Sequence, residues 1–244
     1  MSSVIEVQGA TQVFGSRTIF RDVSFGIEAG EVFVILGGSG CGKSTLLKQM
    51  IGLQRPTRGD ISVAGFSVSR QAPEVRRRIG VMFQSGALFG SMNLLENVSL
   101  PLSVFTDLPA DACNEIARLK LGLVGLGEAA LRLPSEISGG MVKRADIARA
   151  LALDPPILML DEPSAGLDPV TSAGLDQLIL SLRDTLGTTC VVVTHELASI
   201  MAIADRCAML DAQAQGLIAL GRPQDLKQNT THPMVRAFFH RETL

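Results

Sequence analysis

Short apolar runs bounded by glycine, proline and polar residues punctuate the chain. "GEVFVILGG", "PPILMLDEP", "TTCVVVTHE" and "DRCAMLD" are each long enough for a buried strand and too short for a buried helix. Segments with helical spacing lie between the last three, and this βαβα alternation predicts a mostly parallel sheet. Nearer the N-terminus, residues 4–7 and 17–27 alternate apolar and polar positions, which predicts an antiparallel β element with turns at Gly9 and Gly15. "GDISVAG" and "RRRIGVMFQ" predict two further strands, and residues 44–52 a helix.

From about residue 94 the pattern changes. "LLENVSLPLSV" and "PADACNEIARLKLGLVGLG" carry Leu, Val, Ala and Ile at helical spacing. Residues 90–153 therefore read as a helical lobe inserted into the α/β frame, running into the helix that follows Gly140. The tail, residues 223–244, predicts two short helices. In the second, Val235, Phe238 and Phe239 form an apolar face beside Arg236, His240 and Arg241. That face packs either on its own domain or on a second subunit. One domain spanning residues 1–244 accommodates all of these elements.

Composition narrows the class. Hydrophobic residues make up 46% of 244, enough for a sizeable core. A net charge of −2 argues against nucleic-acid binding. No apolar run approaches the roughly 18 residues that a membrane span needs, and the first residues lack the pattern of a signal peptide. Cys41, Cys113, Cys190 and Cys207 show no C-x-x-C spacing and read as reduced, buried thiols. With no Trp and no Tyr, any aromatic contact falls to Phe or His.

The chemistry begins at "GGSGCGKS", residues 37–44, which fits G-x-x-x-x-G-K-[ST] with a strand before it and a helix after it. Gly37, Gly38, Ser39, Gly40, Cys41, Gly42, Lys43, Ser44 and Thr45 are the candidate phosphate-binding residues. Their backbone N–H groups turn inward, Lys43 reaches the β- and γ-phosphates, and Ser44 is placed for Mg²⁺. Asp161 and Glu162 end a buried strand, at the edge of a parallel sheet that faces ligand. Asp161 suits Mg²⁺, and Glu162 suits a general base aimed at water. His195 ends another strand and suits a γ-phosphate sensor. Gln84 ends "GVMFQ", where its amide suits Mg²⁺ or the attacking water. A second anion site lies at Ser138, Gly139 and Gly140, a polar turn that opens a helix carrying Lys143, Arg144 and Arg149.

These motifs, in this order, resemble the nucleotide-binding subunit of ABC transporters over nearly the full chain. The resemblance makes residues 37–44 Walker A, Gln84 the Q-loop, Ser138-Gly139-Gly140 the signature, residues 157–162 Walker B, "SAGLD" ending at Asp168 the D-loop, and His195 the switch histidine. It implies a P-loop NTPase fold, ATP and Mg²⁺ as ligands, and a homodimer paired head to tail. Ser138, Gly139, Gly140, Met141 and Asp168 would then contact the ATP of the partner chain. It also implies an integral-membrane permease and a place on the cytoplasmic face of a bacterial inner membrane. The apolar residues Leu88, Phe89, Met92 and Leu94 offer either a docking surface for that permease or part of the lobe's own core.

Two departures from the family stand out. The adenine-stacking position, usually Tyr, falls on Phe14 in "QVFG". Met141 stands where the common signature has Gln. "SGGM" followed by "ADIARAL", together with the ending "HPMVRAFF", resembles the ATPases of Mce/Mla-type lipid transporters. That subgroup implies a phospholipid cargo, an Mce-domain lipid-binding partner and a small accessory protein. Small-solute transport ATPases and mechanical ABC ATPases that extrude lipoproteins share the same ATP motifs and are the alternatives. ABC ATPases that work on DNA or ribosomes carry long coiled coils or fused ATPase units, which this sequence lacks.

Overall fold

A computed structural model describes residues 3–243. In chain order the elements are β1 (Ser3–Phe14), β2 (Arg17–Glu28), β3 (Val32–Gly37), α1 (Lys43–Met50), β4 (Arg58–Val63), β5 (Phe66–Ser67), α2 (Ala72–Arg76) and β6 (Ile79–Met82). Next come α3 (Leu94–Phe105), α4 (Ala110–Leu123), α5 (Gly139–Ala150), β7 (Ile157–Asp161), α6 (Pro169–Leu186) and β8 (Thr189–Val193). The chain continues through α7 (Leu197–Ile203), β9 (Arg206–Asp211), β10 (Gly216–Gly221), α8 (Pro223–Asn229) and α9 (Pro233–His240).

Two sheets form. One is antiparallel, ordered β2-β1-β4-β5. The other is ordered β10-β9-β3-β8-β7-β6, parallel except where β10 joins β9. All six residues of β3 are buried, because that strand feeds two cores. Val32, Val34 and Leu36 join the core shared with α3–α6, while Phe33 and Ile35 face the antiparallel sheet. The period-2 alternation of side chains makes this division automatic.

Helix ends follow local chemistry. Asn93 and Glu96 form a reciprocal capping box at the start of α3, with bonds of 2.9 and 2.8 Å. Asp168 caps α6, Pro169 follows as its first residue, and Gly187 closes it in the left-handed region.

Some expectations are corrected, and others are met or resolved. Gly9 is not a turn: β1 runs through it, and its positive φ sits at a register shift between Val7 and Ala10, a bulge in a continuous strand. β5, α2 and β10 were missed, the first two because they are only two and five residues long. Leu94 is core and Leu88 packs against the same core, whereas Phe89 is 51% exposed. The two tail helices form, and α9 buries Val235 and Phe239 on its own chain. All four cysteines are free and buried, and burial pushes the Cys190 and Cys207 thiols up to about 12.

Candidate functional site

The glycine loop leaves β3 beside the end of β9. A Cβ on Gly37 would stand 2.2 Å from the Leu210 carbonyl, so only glycine allows that exit. Gly42 has a φ of 101° and lies so close to β2 that a Cβ would meet Ile19 and Phe20 at 2.7 Å. The antiparallel sheet thus presses the loop into shape from outside. Lys43 Nζ donates to the carbonyls of Gly37 (2.8 Å) and Gly38 (3.1 Å), which holds the ammonium over the loop. Cys41 turns its side chain into the core, so its place in the loop is a backbone one.

A cavity of about 680 Å³ opens over this loop. Gly37, Gly38, Ser39, Gly40, Gly42, Lys43, Ser44 and Thr45 line it, together with Gln84, Glu162 and His195. Residues from four separate strand ends therefore converge on one space. Arg17, Ile19 and Phe238 also line it, and sequence reasoning missed all three. Arg17 and Ile19 belong to β2, and Phe238 comes from the C-terminal helix α9, some two hundred residues from the loop. No local pattern signals such a contact. Phe14 ends β1 with its ring 51% exposed, outside the walls of this cavity.

Asp161 and Glu162 are both buried at the end of β7. Glu162 has a positive φ of 48°, rare for a residue with a side chain and frequent at functional sites. Its backbone is fixed there by a 2.8 Å bond from its N–H to the Val193 carbonyl. His195 Nδ1 lies 2.9 Å from Glu162 Oε1. Glu162 Oε2 and Asp161 Oδ1 are buried with no protein partner, an arrangement that calls for a ligand or water. Burial pushes the Asp161 carboxyl up, and Glu162 beside it adds to the effect; Lys48, Lys43 and the Ser44 hydroxyl work against it.

The second cradle lies apart. Ser138 caps α5, accepting the Met141 N–H at 3.3 Å. Ser138 and Gly139 are exposed, and Gly140 is pressed against Thr171, whose Cγ2 would lie 2.4 Å from a Cβ. Met141 is half-buried and packs on the core, so an apolar residue suits the place. Asp168 spends its carboxylate on its own helix, accepting from the Val170 and Thr171 N–H groups at 3.0 Å and from the Thr171 hydroxyl. Those Thr171 bonds, led by the hydroxyl, hold its pKa below the usual range. None of these residues lines the cavity over the glycine loop.

Known proteins bear on this geometry. The family described as "ABC transporter" matches residues 20–165. The "Probable ribonucleotide transport ATP-binding protein mkl" of Mycobacterium leprae is 44% identical over 244 residues, covering 98% of this chain and 70% of that protein. The "Intermembrane phospholipid transport system ATP-binding protein MlaF" of Escherichia coli K12 is 39% identical over 242 residues, covering 98% and 89%. Among solved structures, the dimeric ATP-binding cassette MJ0796 bound to ADP and Pi superimposes with a TM-score of 0.80 at 30% identity, covering 89% of this chain and 98% of that one. The cbiO1 cassette of Clostridium perfringens gives a TM-score of 0.85 at 27% identity, covering 94% and 92%. The chain belongs to the ABC transporter family, as an ATP-binding cassette whose ATP hydrolysis is coupled to transport.

Proposed function

We propose that this cassette powers a transporter that moves phospholipid or a related lipid between membranes, as a head-to-tail homodimer beneath a separate permease. The observation that carries the chemistry is Glu162: buried, in left-handed backbone, bonded to His195, with Oε2 unpartnered beside the phosphate loop. Glu162 Oε2 accepts a proton from the attacking water while His195 holds Oε1 in place. The loop N–H groups, Lys43 and the start of α1 grip the phosphates. Phe14 offers its exposed ring face to the adenine.

Asp161 Oδ1, Ser44 and Gln84 supply oxygen donors that fit Mg²⁺, and the unpartnered Asp161 oxygen is the sign of fit. An ion held by these residues would supply positive charge against the β- and γ-phosphates. Ser138 and Gly139, exposed at the start of α5, and Gly140 behind them serve the nucleotide of the partner chain, with Met141 and Asp168 shaping that face. Residues 90–153 act as a helical lobe, and the permease docks in the cleft between that lobe and the α/β frame, beside exposed Phe89; within the tail, residues 223–244, helix α9 packs on the cassette.

Among the described residues no helix is long and apolar enough to cross a membrane, and this reading gives the cargo pathway to the separate permease. The lipid reading is supported by the name of the Escherichia coli relative and by Met141 in the signature-like turn. The name of the Mycobacterium leprae relative points to ribonucleotide instead. Purification of the tagged protein from native membranes in mild detergent, with mass spectrometry of proteins and lipids, decides between them. A multi-spanning permease, a single-span Mce-domain protein, a small accessory protein and enriched phospholipid are expected. A permease with a solute-binding protein and no enriched lipid would reassign the cargo and leave the ATP chemistry standing.

A further inference from the structure

The segment that joins Gln84 to α3 forms no strand or helix; side chains from two helices hold it. On α5, Lys143, Asp146 and Arg149 recur every three residues and so share one face. Lys143 Nζ donates to the Gln84 carbonyl at 2.7 Å. Asp146 Oδ1 accepts the Ala87 N–H at 3.2 Å and pairs with Arg149 at 3.4 Å. Arg149 in turn donates to the Ala87 carbonyl. Farther on, fully buried Asn97 of α3 accepts the Phe89 N–H at 2.7 Å and donates to the carbonyls of Phe89, Met92 and Asn93.

Asp146 is the odd member of this set. It is fully buried in mid-helix, where desolvation of a carboxylate is costly and core packing asks for an apolar residue. Its Oδ2 has no partner. A Cβ on Gly86 would lie 3.1 Å from that oxygen, at a residue whose φ of +70° already disfavours a side chain. The loop therefore lays its backbone directly on Asp146. The other end of the same rigid helix is Ser138, about 12 Å away along its axis at 1.5 Å per residue.

We propose that Asp146 is a positioning residue for ATP hydrolysis: it clamps residues 84–87 to α5, so that Gln84 in one nucleotide site and Ser138–Gly140 facing the other move as one body. The inference rests on the two-cradle reading above. Helix α5 carries the displacement, because an α-helix resists bending and Asp146 on that helix takes the loop's Ala87 N–H through Oδ1. Removing the carboxylate breaks the Ala87 N–H bond, leaves the loop held to α5 only through the Lys143 and Arg149 donors, and leaves Arg149 buried without its charge partner.

The test uses the full-length chain. ATP affinity, KM, kcat and melting temperature are measured for Asp146→Ala, Asp146→Asn and Ser138→Arg, and ATP-driven dimerisation is measured for each in a Glu162→Gln background. Asp146→Ala is expected to leave ATP affinity and KM within about twofold, since the phosphate loop is untouched. Its kcat should fall about tenfold or more, as misplacement by an ångström can cost that much, and dimerisation should weaken in step. Asp146→Asn keeps the Oδ1 acceptor for Ala87 and should recover most of kcat. Wild-type kcat and dimerisation in Asp146→Ala would overturn the clamp, as would an Asn variant no better than Ala at equal melting temperature. Should Asp146→Ala fail to fold, Gly86→Ala reads the same contact from the loop side: a kcat loss at unchanged KM supports the clamp, and wild-type kcat overturns it. If Ser138→Arg still dimerises with ATP, the two-cradle reading itself fails. If only Ser138→Arg loses dimerisation, the clamp alone falls.

Discussion

The chain builds two candidate anion cradles from the same materials, glycines and a helix N-terminus, and they end in opposite states. The loop at residues 37–45 lies at the floor of a cavity walled by Gln84, Glu162 and His195, with a lysine folded over it. The turn at Ser138–Gly140 presents exposed Ser138 and Gly139 and lies outside that cavity, away from Lys43, Glu162 and His195. A helix N-terminus supplies partial positive charge in both places. Only the first is completed by its own fold. The second has a donor surface and lacks the remainder of a site, which is what a half-site awaiting another molecule requires.

The comparison yields predictions in falling order of effect. Glu162→Gln removes the base from the first cradle and should lower turnover by roughly 10²- to 10⁴-fold with ATP binding intact; steady-state rates beside equilibrium binding of a fluorescent nucleotide test it, and near-normal hydrolysis would remove Glu162 from its role. Lys43→Ala removes charge-assisted bonds to phosphate, each worth about 1.5–3 kcal/mol, so nucleotide affinity itself should weaken by roughly 10- to 100-fold. Gly140→Ala attacks the second cradle alone. Its methyl would collide with Thr171, so ATP-driven dimerisation should drop by about tenfold while binding to the isolated chain stays within about twofold.

Smaller effects separate the two sites by stability. Burial and Glu162 raise the Asp161 pKa. A carboxyl raised in this way contributes stability that is present below its unfolded pKa, near 3.9, and lost as pH rises through the folded value. Asp161→Asn should therefore raise the melting temperature of the nucleotide-free protein at pH 7 to 8, and that gain should vanish near pH 3.5; a gain independent of pH would refute the assignment. Met141→Gln puts an amide where a half-buried thioether packs on the core. It should cost about 1 kcal/mol of stability in denaturant titration and leave turnover within about threefold.

Much of the first cradle was legible because its chemistry is contiguous. Residues 37–45 must follow one another for backbone N–H groups to converge, so spacing alone exposes them. Asp161, Glu162 and His195 were legible because buried strands end where ligand binds in a parallel sheet. Arg17, Ile19 and Phe238 were not, since their place in the cavity depends on how the antiparallel sheet and α9 dock. Asp146 was hidden for the same reason: in the sequence it is one acid among basic residues, and its burial against Ala87 exists only after folding. Gly9 misled because a positive-φ glycine serves a turn and a bulge equally well.

The sequence by itself determined the buried strands of the parallel sheet, the helices that alternate with them, and the order of the candidate phosphate, metal and base residues, because period, length and local backbone chemistry are short-range properties. Tertiary structure decided which of these residues share a cavity and that the second cradle faces outward. It also decided that the segment after Gln84 is held by the helix the second cradle begins. Contacts between residues sixty or two hundred positions apart depend on sheet order and helix docking, and no local pattern records them.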